Sequence, residues 1–354
     1  MSSSSYRIAV IAGDGIGREV VPAGLAVLET VGRRGGFSFE FVQFPWGCDY
    51  YLETGRMMAA DGLDRLRTFD AIYLGAVGAP SVPDHVSVWE LILPIRQQFE
   101  QYVNLRPIRL LPGVTSPLAG RGPADIDMVC VRENSEGEYA GVGAREHAGE
   151  PDERVEQTGV FTRHGIERIV RYAFALAASR PRRLLASATK SNALQYSMVL
   201  WDEVVASLQP GYPDVIVQKY HVDALAARMV TNPASLDVIV ASNLFGDILT
   251  DLGAAISGSL GLAPGANINP ERRFPSMFEP IHGSAPDIAG RGIANPIGAI
   301  WAAALMLDHL GRRDAHDRVV AAIEAVLAAG RIRTPDLGGT ASTAELTAAI
   351  LASL

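Results

Sequence analysis

The chain reads Asp-Val-Ile-Val-Ala-Ser-Asn-Leu-Phe-Gly-Asp-Ile-Leu-Thr-Asp from residue 237 to residue 251. Its first six residues form an apolar run that is typical of a buried parallel strand. A helix that begins near Asn243 would place Asp247 and Asp251 on one face, about one turn apart. Two carboxylates at the end of a strand suit a hard cation such as Mg²⁺ or Mn²⁺. Acid pairs at this spacing are also common on solvent-exposed helices, so spacing alone leaves both interpretations open.

Strands and helices alternate along most of the chain. The predicted strands are Arg7–Ala12, Asp70–Ala76, Asp127–Arg132, Leu184–Ala188, Val215–Tyr220 and Asp237–Ala241. The predicted helices are Gly15–Gly32, Arg163–Ser179, Ser191–Leu208, Asp223–Asn232, Gly298–Leu310, Ala315–Ala329 and Ala344–Leu354. This pattern predicts an α/β protein with a largely parallel sheet. The turn-rich stretch Gly261–Asn295 is more typical of a binding loop than of a linker.

The composition restricts the classes of function. The 354 residues are 48% hydrophobic, which is typical of a globular protein with an ample core. A net charge of −8 argues against a nucleic-acid partner but allows a small anionic ligand at a local cluster of cations. We expect no membrane span, because no apolar run reaches about 20 residues.

The two cysteines and the N-terminus bear on the compartment. Cys48 and Cys130 lie far apart and have no metal-site spacing, which favours two reduced thiols. The segment Met1–Ser5 lacks the features of a secretory signal, and we expect a short disordered tail there. Together these features predict a cytoplasmic protein.

A glycine cluster, Gly13-Asp14-Gly15-Ile16-Gly17, lies between the first predicted strand and the first predicted helix. A standard dinucleotide-binding motif would need its third glycine at position 18, where Arg18 stands. The acidic residue that should follow about 20 positions later is not convincingly supplied by Glu40. The cluster therefore predicts a tight turn that approaches a ligand, rather than a Rossmann site.

Charged side chains recur where predicted strands end. Four of them follow apolar strands directly: Arg132, Lys190, Asp223 and Asp247. Ligands of open α/β sheets bind at this edge. Arg96 and Arg106 add two further cations, and an arginine can hold a carboxylate through two parallel hydrogen bonds. A surface ion pair is the ordinary alternative for any one of these arginines alone.

Several motifs together resemble the decarboxylating β-hydroxyacid dehydrogenases, a family that includes isopropylmalate and isocitrate dehydrogenases. The resemblance covers Ile8–Leu354 and rests on Gly13–Gly17, Arg96 and Arg106, Arg132–Tyr139, Lys190, Asp223, Asn243–Asp251 and Phe278–Gly290. Within the family the chain is most similar to the branch that acts on tartrate and D-malate. That similarity rests on Trp46–Tyr51, Gly55–Met58, Val82–His85 and Arg132–Tyr139.

The resemblance implies a fold and an assembly. The fold would be a two-domain α/β fold of the isocitrate/isopropylmalate dehydrogenase type, not a Rossmann fold, with the active-site cleft between the domains. Residues 1–103 and 258–354 would form the large, cofactor-binding domain. Residues 104–257 would form the small domain, with metal, substrate and dimer contacts. The protein would be a homodimer in which each active site borrows Lys190 and Asp223 from the partner subunit.

The resemblance also implies an activity, the NAD-dependent oxidation and decarboxylation of D-malate or tartrate-type 2-hydroxy dicarboxylic acids. Arg96, Arg106 and Arg132 would bind the substrate carboxylate. Asp247 and Asp251, with Asp223 of the partner subunit, would hold Mn²⁺ or Mg²⁺. Lys190 would act as the base and Tyr139 would protonate the enolate carbon. The branch further implies a dependence on K⁺.

The expected cofactor loop lies within the turn-rich stretch. Its implied contacts are His282, Gly283, Ser284, Ala285, Asp287 and Asn295. The carboxylate of Asp287 would bind the adenosine ribose and repel a 2′-phosphate, which favours NAD over NADP. Its alternative role is to cap the turn after Pro286.

Substrate choice is expected to depend on Trp89, whose bulk would fill the space that a larger substituent needs. Ordinary packing is the alternative role of that side chain. The alternative activity within the family is 3-isopropylmalate dehydrogenase. A metal-dependent hydrolase and a ligand-binding regulatory subunit are the alternatives of a different class. The regulatory alternative is disfavoured because Tyr139 and Lys190 are both present.

Overall fold

The structure is a computed structural model that describes residues 4–354. The strands within that range are β1 Ser5–Gly13, β2 Ser38–Gln43, β3 Ala71–Ala76, β4 Val103–Arg109, β5 Asp127–Glu133, β6 Gly137–Glu146, β7 Arg154–Val160, β8 Leu184–Thr189, β9 Ile216–His221, β10 Val238–Ala241, β11 Pro264–Ile268 and β12 Ser276–Pro280. The helices within it are α1 Gly17–Gly35, α2 Cys48–Thr54, α3 Gly62–Leu66, α4 Asp84–Ser87, α5 Leu93–Gln98, α6 Arg163–Ser179, α7 Ser197–Leu208, α8 Val222–Thr231, α9 Asn243–Ile256, α10 Ile297–His309, α11 Arg313–Ala329 and α12 Thr343–Ser353. The first three residues of the predicted tail lie outside the described range, and Ser5 already belongs to β1.

The main sheet has the strand order β2-β1-β3-β12-β11-β4-β5-β10-β8-β9. Strands β2, β1, β3 and β12 are parallel to one another, and so are β5, β10, β8 and β9. The two groups are joined through β11 and β4, whose pairings are antiparallel. The sheet is therefore largely parallel, as predicted, but its two parallel groups run in opposite directions.

Apolar runs form the central strands because both faces of the sheet are covered. In β1, Ile8 and Val10 pack into one hydrophobic cluster, while Ala9 and Ile11 pack into another. All six residues of β3 and all four of β10 are buried. A strand buried on both faces loses the alternation of polar and apolar residues, so it reads as a continuous apolar run.

The stretch Gly261–Asn295 is only partly irregular, so that prediction is wrong over its first half. It contributes β11 and β12 to the sheet, and the segment without strands or helices begins at Ile281. Strand β4 and the hairpin of β6 and β7 were not predicted, and α7 begins at Ser197 rather than Ser191. None of the helices within residues 4–354 combines the length and apolar character needed to cross a bilayer. The predicted domain boundary at 103/104 falls after the first residue of β4, and that at 257/258 falls just after α9. Both stay a prediction.

Candidate active site

A cavity of about 420 Å³ lies between the segment that carries α4 and α5, strands β4 and β5, and the first turns of α9. Its walls include the predicted site residues Trp89, Arg96, Arg106, Arg132, Tyr139 and Asp247. The remaining lining residues are Asp84, His85, Val88, Ile92 and Leu93. A cavity of this size suits a small molecule.

One wall of the cavity is formed by the helical segment that carries α4 and α5. The segment from Asp84 to Gln98 is helical throughout, with a π-helical turn at Val88–Ile92. Trp89, Leu93 and Arg96 are spaced by three or four residues, so they share one face. Asp84 and His85 also line the cavity. They belong to the motif Val82–His85 of the resemblance, but neither was predicted as a site residue. Counting back from Arg96 in helical steps would have placed His85 on the same face.

Arg132 is held in a fixed orientation at the end of β5. It is 2% exposed, and its Nε and Nη2 atoms donate to Asn243 Oδ1 at 3.0 and 2.8 Å. Its Nη1 forms an ion pair with Asp247. Burial, together with the charge of Arg106, lowers the pKa of Arg132 to about 10, so the side chain remains a cation at neutral pH.

The other two arginines are also buried and paired. Arg106 Nε donates to Asn104 Oδ1 at 2.7 Å, and its Nη1 donates to Thr250 Oγ1 at 3.1 Å. Arg96 Nη2 donates to Glu279 Oε1 at 2.7 Å. Buried charges are costly unless they are paired and hydrogen-bonded. Three clustered guanidinium groups therefore make this cavity suited to an anionic ligand.

Burial and neighbouring charges shift the pKa values of Asp247, Asp251 and Tyr139. Burial alone would raise the pKa of Asp247, but Arg132 and Arg106 outweigh it and hold that pKa below its ordinary value. Burial raises the pKa of Asp251. Tyr139 donates to Asp247 Oδ2 at 3.1 Å, and burial and the Asp247 charge raise the pKa of the phenol. Tyr139 therefore carries its proton at neutral pH, where it can act as a donor.

The acid pair fits part of a metal site. Asp247 and Asp251 lie in α9, four residues apart as the sequence predicted, and the Asp251 side chain is 61% exposed. A divalent cation of the Mg²⁺ type takes about six oxygen ligands. Within residues 4–354 no group of three or more histidine, cysteine or acidic side chains is placed to hold a metal ion. This chain alone therefore offers two carboxylates to a metal ion. The remaining ligands of the ion would have to be other oxygen atoms.

Lys190 and Asp223 lie apart from the cavity. They form an ion pair with each other at 2.7 Å, at the ends of the adjacent strands β8 and β9. Strand β10 lies between β8 and β5, so Lys190 is two strands away from Arg132. The four predicted strand-end residues do adjoin along one edge of the sheet, but only Arg132 and Asp247 face the cavity.

The expected cofactor loop packs against the glycine-rich turn. Ile16 N donates to Ser284 O at 2.9 Å, and Gly15 has a φ of +50°. His282 Nδ1 contacts Gly283 O at 3.0 Å, while its Nε2 is buried with no hydrogen-bond partner in residues 4–354. This buried nitrogen is therefore available to a ligand atom or to water.

Two other predicted residues of the loop differ in what they offer a ligand. Asp287 is exposed, so its carboxylate is open to solvent. Asn295 is buried and uses both ends of its amide within the protein, accepting from Ile297 N and donating to Asp336, each at 3.0 Å. Each end of that amide can make one more hydrogen bond, since the NH₂ group has two donors and the oxygen has two lone pairs.

Comparisons with known proteins identify the family of this chain. The isocitrate/isopropylmalate dehydrogenase family matches residues 7–350. The chain is 58% identical to a probable tartrate dehydrogenase/decarboxylase of Agrobacterium vitis, over 98% of this chain and 96% of that protein. It is 56% identical to a decarboxylating D-malate dehydrogenase of Escherichia coli K12, over 98% of each. A crystal structure of isocitrate dehydrogenase from Methylococcus capsulatus superposes with a TM-score of 0.89 at 36% identity, over 98% of this chain and 99% of that one.

These findings confirm the predicted fold class, the isocitrate/isopropylmalate dehydrogenase-like α/β fold. They also confirm the predicted similarity to proteins named for tartrate and D-malate. The agreement extends over nearly the whole chain and holds for both sequence and structure. The chain therefore belongs to the isocitrate/isopropylmalate dehydrogenase family.

Proposed function

We propose that this protein oxidises D-malate or a tartrate-type 2-hydroxy dicarboxylic acid with NAD and releases CO₂. The observation that carries the proposal is the cluster of three buried arginines beside a proton-bearing tyrosine and an acid pair. Relatives named for tartrate and D-malate support the substrate class. The bulk of Trp89 at the cavity wall favours a small substrate over 3-isopropylmalate.

Arg96, Arg106 and Arg132 would bind the substrate carboxylate that is lost as CO₂. Their guanidinium groups are already fixed by protein acceptors, so little rotational freedom is lost when the substrate arrives. Lys190 of the partner subunit would take the proton of the C2 hydroxyl, either directly or through water. After CO₂ has left, Tyr139 would give its proton to the enolate carbon, and D-malate would yield pyruvate.

A divalent metal and the nicotinamide cofactor complete the proposed site. Mn²⁺ or Mg²⁺ would be held by Asp247, Asp251 and Asp223 of the partner subunit, and K⁺ would support activity. Such a metal supplies positive charge that lowers the pKa of the hydroxyl and stabilises the enolate. NAD, as acceptor of the C2 hydride, would be held by His282–Ala285, by Asn295 at the adenine, and by Asp287 at the adenosine ribose.

We also propose a homodimer with shared active sites. Lys190 and Asp223 do not line the cavity of their own chain, and exposed apolar side chains follow Lys190 along the chain. Leu194 is 42% exposed and Tyr196 is 84% exposed, and a partner would cover such residues. The two free cysteines are both buried and unpaired, which supports a reducing, cytoplasmic compartment.

The first test measures NADH formation with D-malate, L-tartrate, meso-tartrate and 3-isopropylmalate, each with and without Mn²⁺ and K⁺. We expect metal-dependent NADH formation with D-malate or a tartrate, accompanied by CO₂ release. No NADH with any of the four would overturn the dehydrogenase proposal and leave the metal-dependent hydrolase. A rate with 3-isopropylmalate far above the others would assign the alternative activity within the family.

A second prediction tests the cofactor loop through Gly15. A Cβ at this position would lie 2.0 Å from Ser284 O, so an alanine must displace the loop that Ser284 belongs to. We expect Gly15→Ala to raise the KM for NAD by about tenfold or more, because the loop must shift before it can bind. The KM for NAD is measured at saturating substrate and metal.

Gly55→Ala is the matched control. Gly55 also has a positive φ, of +74°, but a Cβ added there would have no atom within 4 Å. Both alanines should cost about 1 kcal/mol of stability from backbone strain, and only Gly15→Ala should affect NAD. Equal KM values for NAD in the two variants would remove this loop from the cofactor site.

A further inference from the structure

Glu279 is a buried carboxylate behind the arginine cluster. It lies on β12, is 7% exposed, and does not line the cavity. Its Oε1 accepts from Arg96 Nη2 at 2.7 Å and from Asn267 Nδ2 at 2.8 Å. Burial alone would raise the pKa of Glu279, but Arg96, Asn267 and Arg106 together hold it below its ordinary value. The side chain is therefore an anion that faces two buried cations.

A chain of asparagines continues from this carboxylate to the second arginine. Asn267 Oδ1 accepts from Asn104 Nδ2 at 2.8 Å and from Asn134 Nδ2 at 2.9 Å. Asn104 Oδ1 then accepts from Arg106 Nε at 2.7 Å. All three asparagines are fully buried. Asn267 and Asn104 are direct neighbours in the antiparallel pairing of β11 and β4, which crosses the centre of the sheet.

The direction of every hydrogen bond in this chain is fixed by its two ends. An ionised carboxylate only accepts, so Asn267 must turn its NH₂ group towards Glu279 and its oxygen towards Asn104. Asn104 must then present its own oxygen to Arg106, which only donates. Reversing any amide would break the bonds on both of its sides. The path from Glu279 through Asn267 and Asn104 to Arg106 therefore has a single arrangement. Two atoms beside this path, Asn134 Oδ1 and Arg96 Nε, are buried without a hydrogen-bond partner within residues 4–354.

We propose that Glu279, Asn267 and Asn104 are positioning residues that aim Arg96 and Arg106 at the substrate carboxylate. This inference rests on the proposed function, since it assigns the two arginines to dicarboxylate binding. The three residues act through the arginines and do not touch the substrate. Replacing the carboxylate by an amide removes the negative charge that pairs with Arg96. It also puts an end that can both donate and accept in place of one that only accepts, so the arrangement loses its single direction.

The test is Glu279→Gln, assayed with D-malate and compared with the wild-type enzyme. We expect the KM for D-malate to rise about 10- to 100-fold, because both arginines lose their fixed orientation. The affinity for NAD should change little, whereas the melting temperature should fall because Arg96 keeps a buried charge without its anionic partner. Glu324→Gln is the matched control, because Glu324 pairs with Arg109 at 2.8 Å away from the cavity, and its KM for D-malate should stay at the wild-type value.

Asn104→Ala is a second variant that tests the same role in case Glu279→Gln does not fold. It removes the acceptor of Arg106 Nε and should also raise the KM for D-malate without weakening NAD binding. An unchanged KM in a folded Glu279→Gln or Asn104→Ala variant would overturn the positioning role. A wild-type protein that makes no NADH would overturn the proposed function instead. In that case, calorimetric titration of wild type and variants with D-malate still tests whether the network aims the arginines.

Discussion

Two variants that are each inactive, Arg132→Lys and Lys190→Ala, should restore activity when they are combined in one mixed dimer. Arg132 lines the cavity of its own chain, whereas Lys190 lies two strands away and outside it. If Lys190 serves the partner's cavity, a mixed dimer contains one site with both defects and one site with neither. In a two-fold dimer with shared sites, the symmetry alone produces this distribution of the two defects.

The expected effects are large. Lysine cannot reproduce the three guanidinium contacts of Arg132 with Asn243 and Asp247, so Arg132→Lys should lower kcat/KM by about 10³-fold. Loss of a general base should lower kcat by about 10²- to 10⁴-fold in Lys190→Ala. A mixed dimer purified through two different affinity tags should recover about half of the wild-type activity, since one of its two sites is intact.

The control for this experiment pairs Arg132→Lys with Tyr139→Phe. Both residues line the same cavity, so each site of that mixed dimer keeps one defect and should stay inactive. Failure of the Arg132→Lys and Lys190→Ala dimer to gain activity would place Lys190 in the cavity of its own chain, or outside catalysis altogether.

Gly246→Ala should abolish most activity through a single added methyl group. Arg132 crosses the first turn of α9 at Gly246 on its way to Asp247. An added Cβ would lie 2.6 Å from both Cβ and Cγ of Arg132, which are too near the backbone to move freely. We expect kcat/KM to fall about 100-fold or more, because the guanidinium group leaves its position. Stability should fall by about 1–3 kcal/mol, as for other overpacked sites.

Gly253→Ala separates the loss of activity from the loss of stability. It adds the same methyl group to the same helix, but against Ile108 rather than Arg132. Its Cβ would meet Ile108 Cδ1 at 2.4 Å, so it also overpacks the core, but against the mobile end of an aliphatic side chain. Thermal unfolding and kinetics of both variants give the comparison. Wild-type kcat/KM in Gly246→Ala would show that the orientation of Arg132 does not limit the reaction.

The parts of this fold that could be predicted are those whose signal is local. The apolar strand at 238–241 and the helix after it follow from periodicity, and the Asp247–Asp251 spacing then fixes one face of α9. Arg132 could be expected nearby because it ends another apolar strand. These features need no knowledge of residues far away in the chain.

The antiparallel centre of the sheet could not be predicted, because its strands carry buried polar residues. Asn104 and Arg106 interrupt β4, and Asn267 interrupts β11, so neither segment shows an apolar run. Their burial is tolerated because their hydrogen-bond partners come from far away in the sequence. Asn104 bonds to Asn267 and Arg106 bonds to Thr250, each more than a hundred residues away. Periodicity reports the face of a segment, but it cannot report a polar partner from another strand. The role of Glu279 could not be predicted from the sequence for the same reason.

The order of strands in the sheet has a consequence for synthesis of the chain on the ribosome. Strand β3 is complete by residue 76, yet its neighbour β12 arrives only at residues 276–280. Strands β5, β8, β9 and β10 all fall within residues 127–241 and can pair much earlier. Until β12 emerges, one apolar edge of β3 stays open as a template for foreign strands. The nascent chain therefore depends on its last quarter both to close that edge and to supply Glu279 and the loop that follows it.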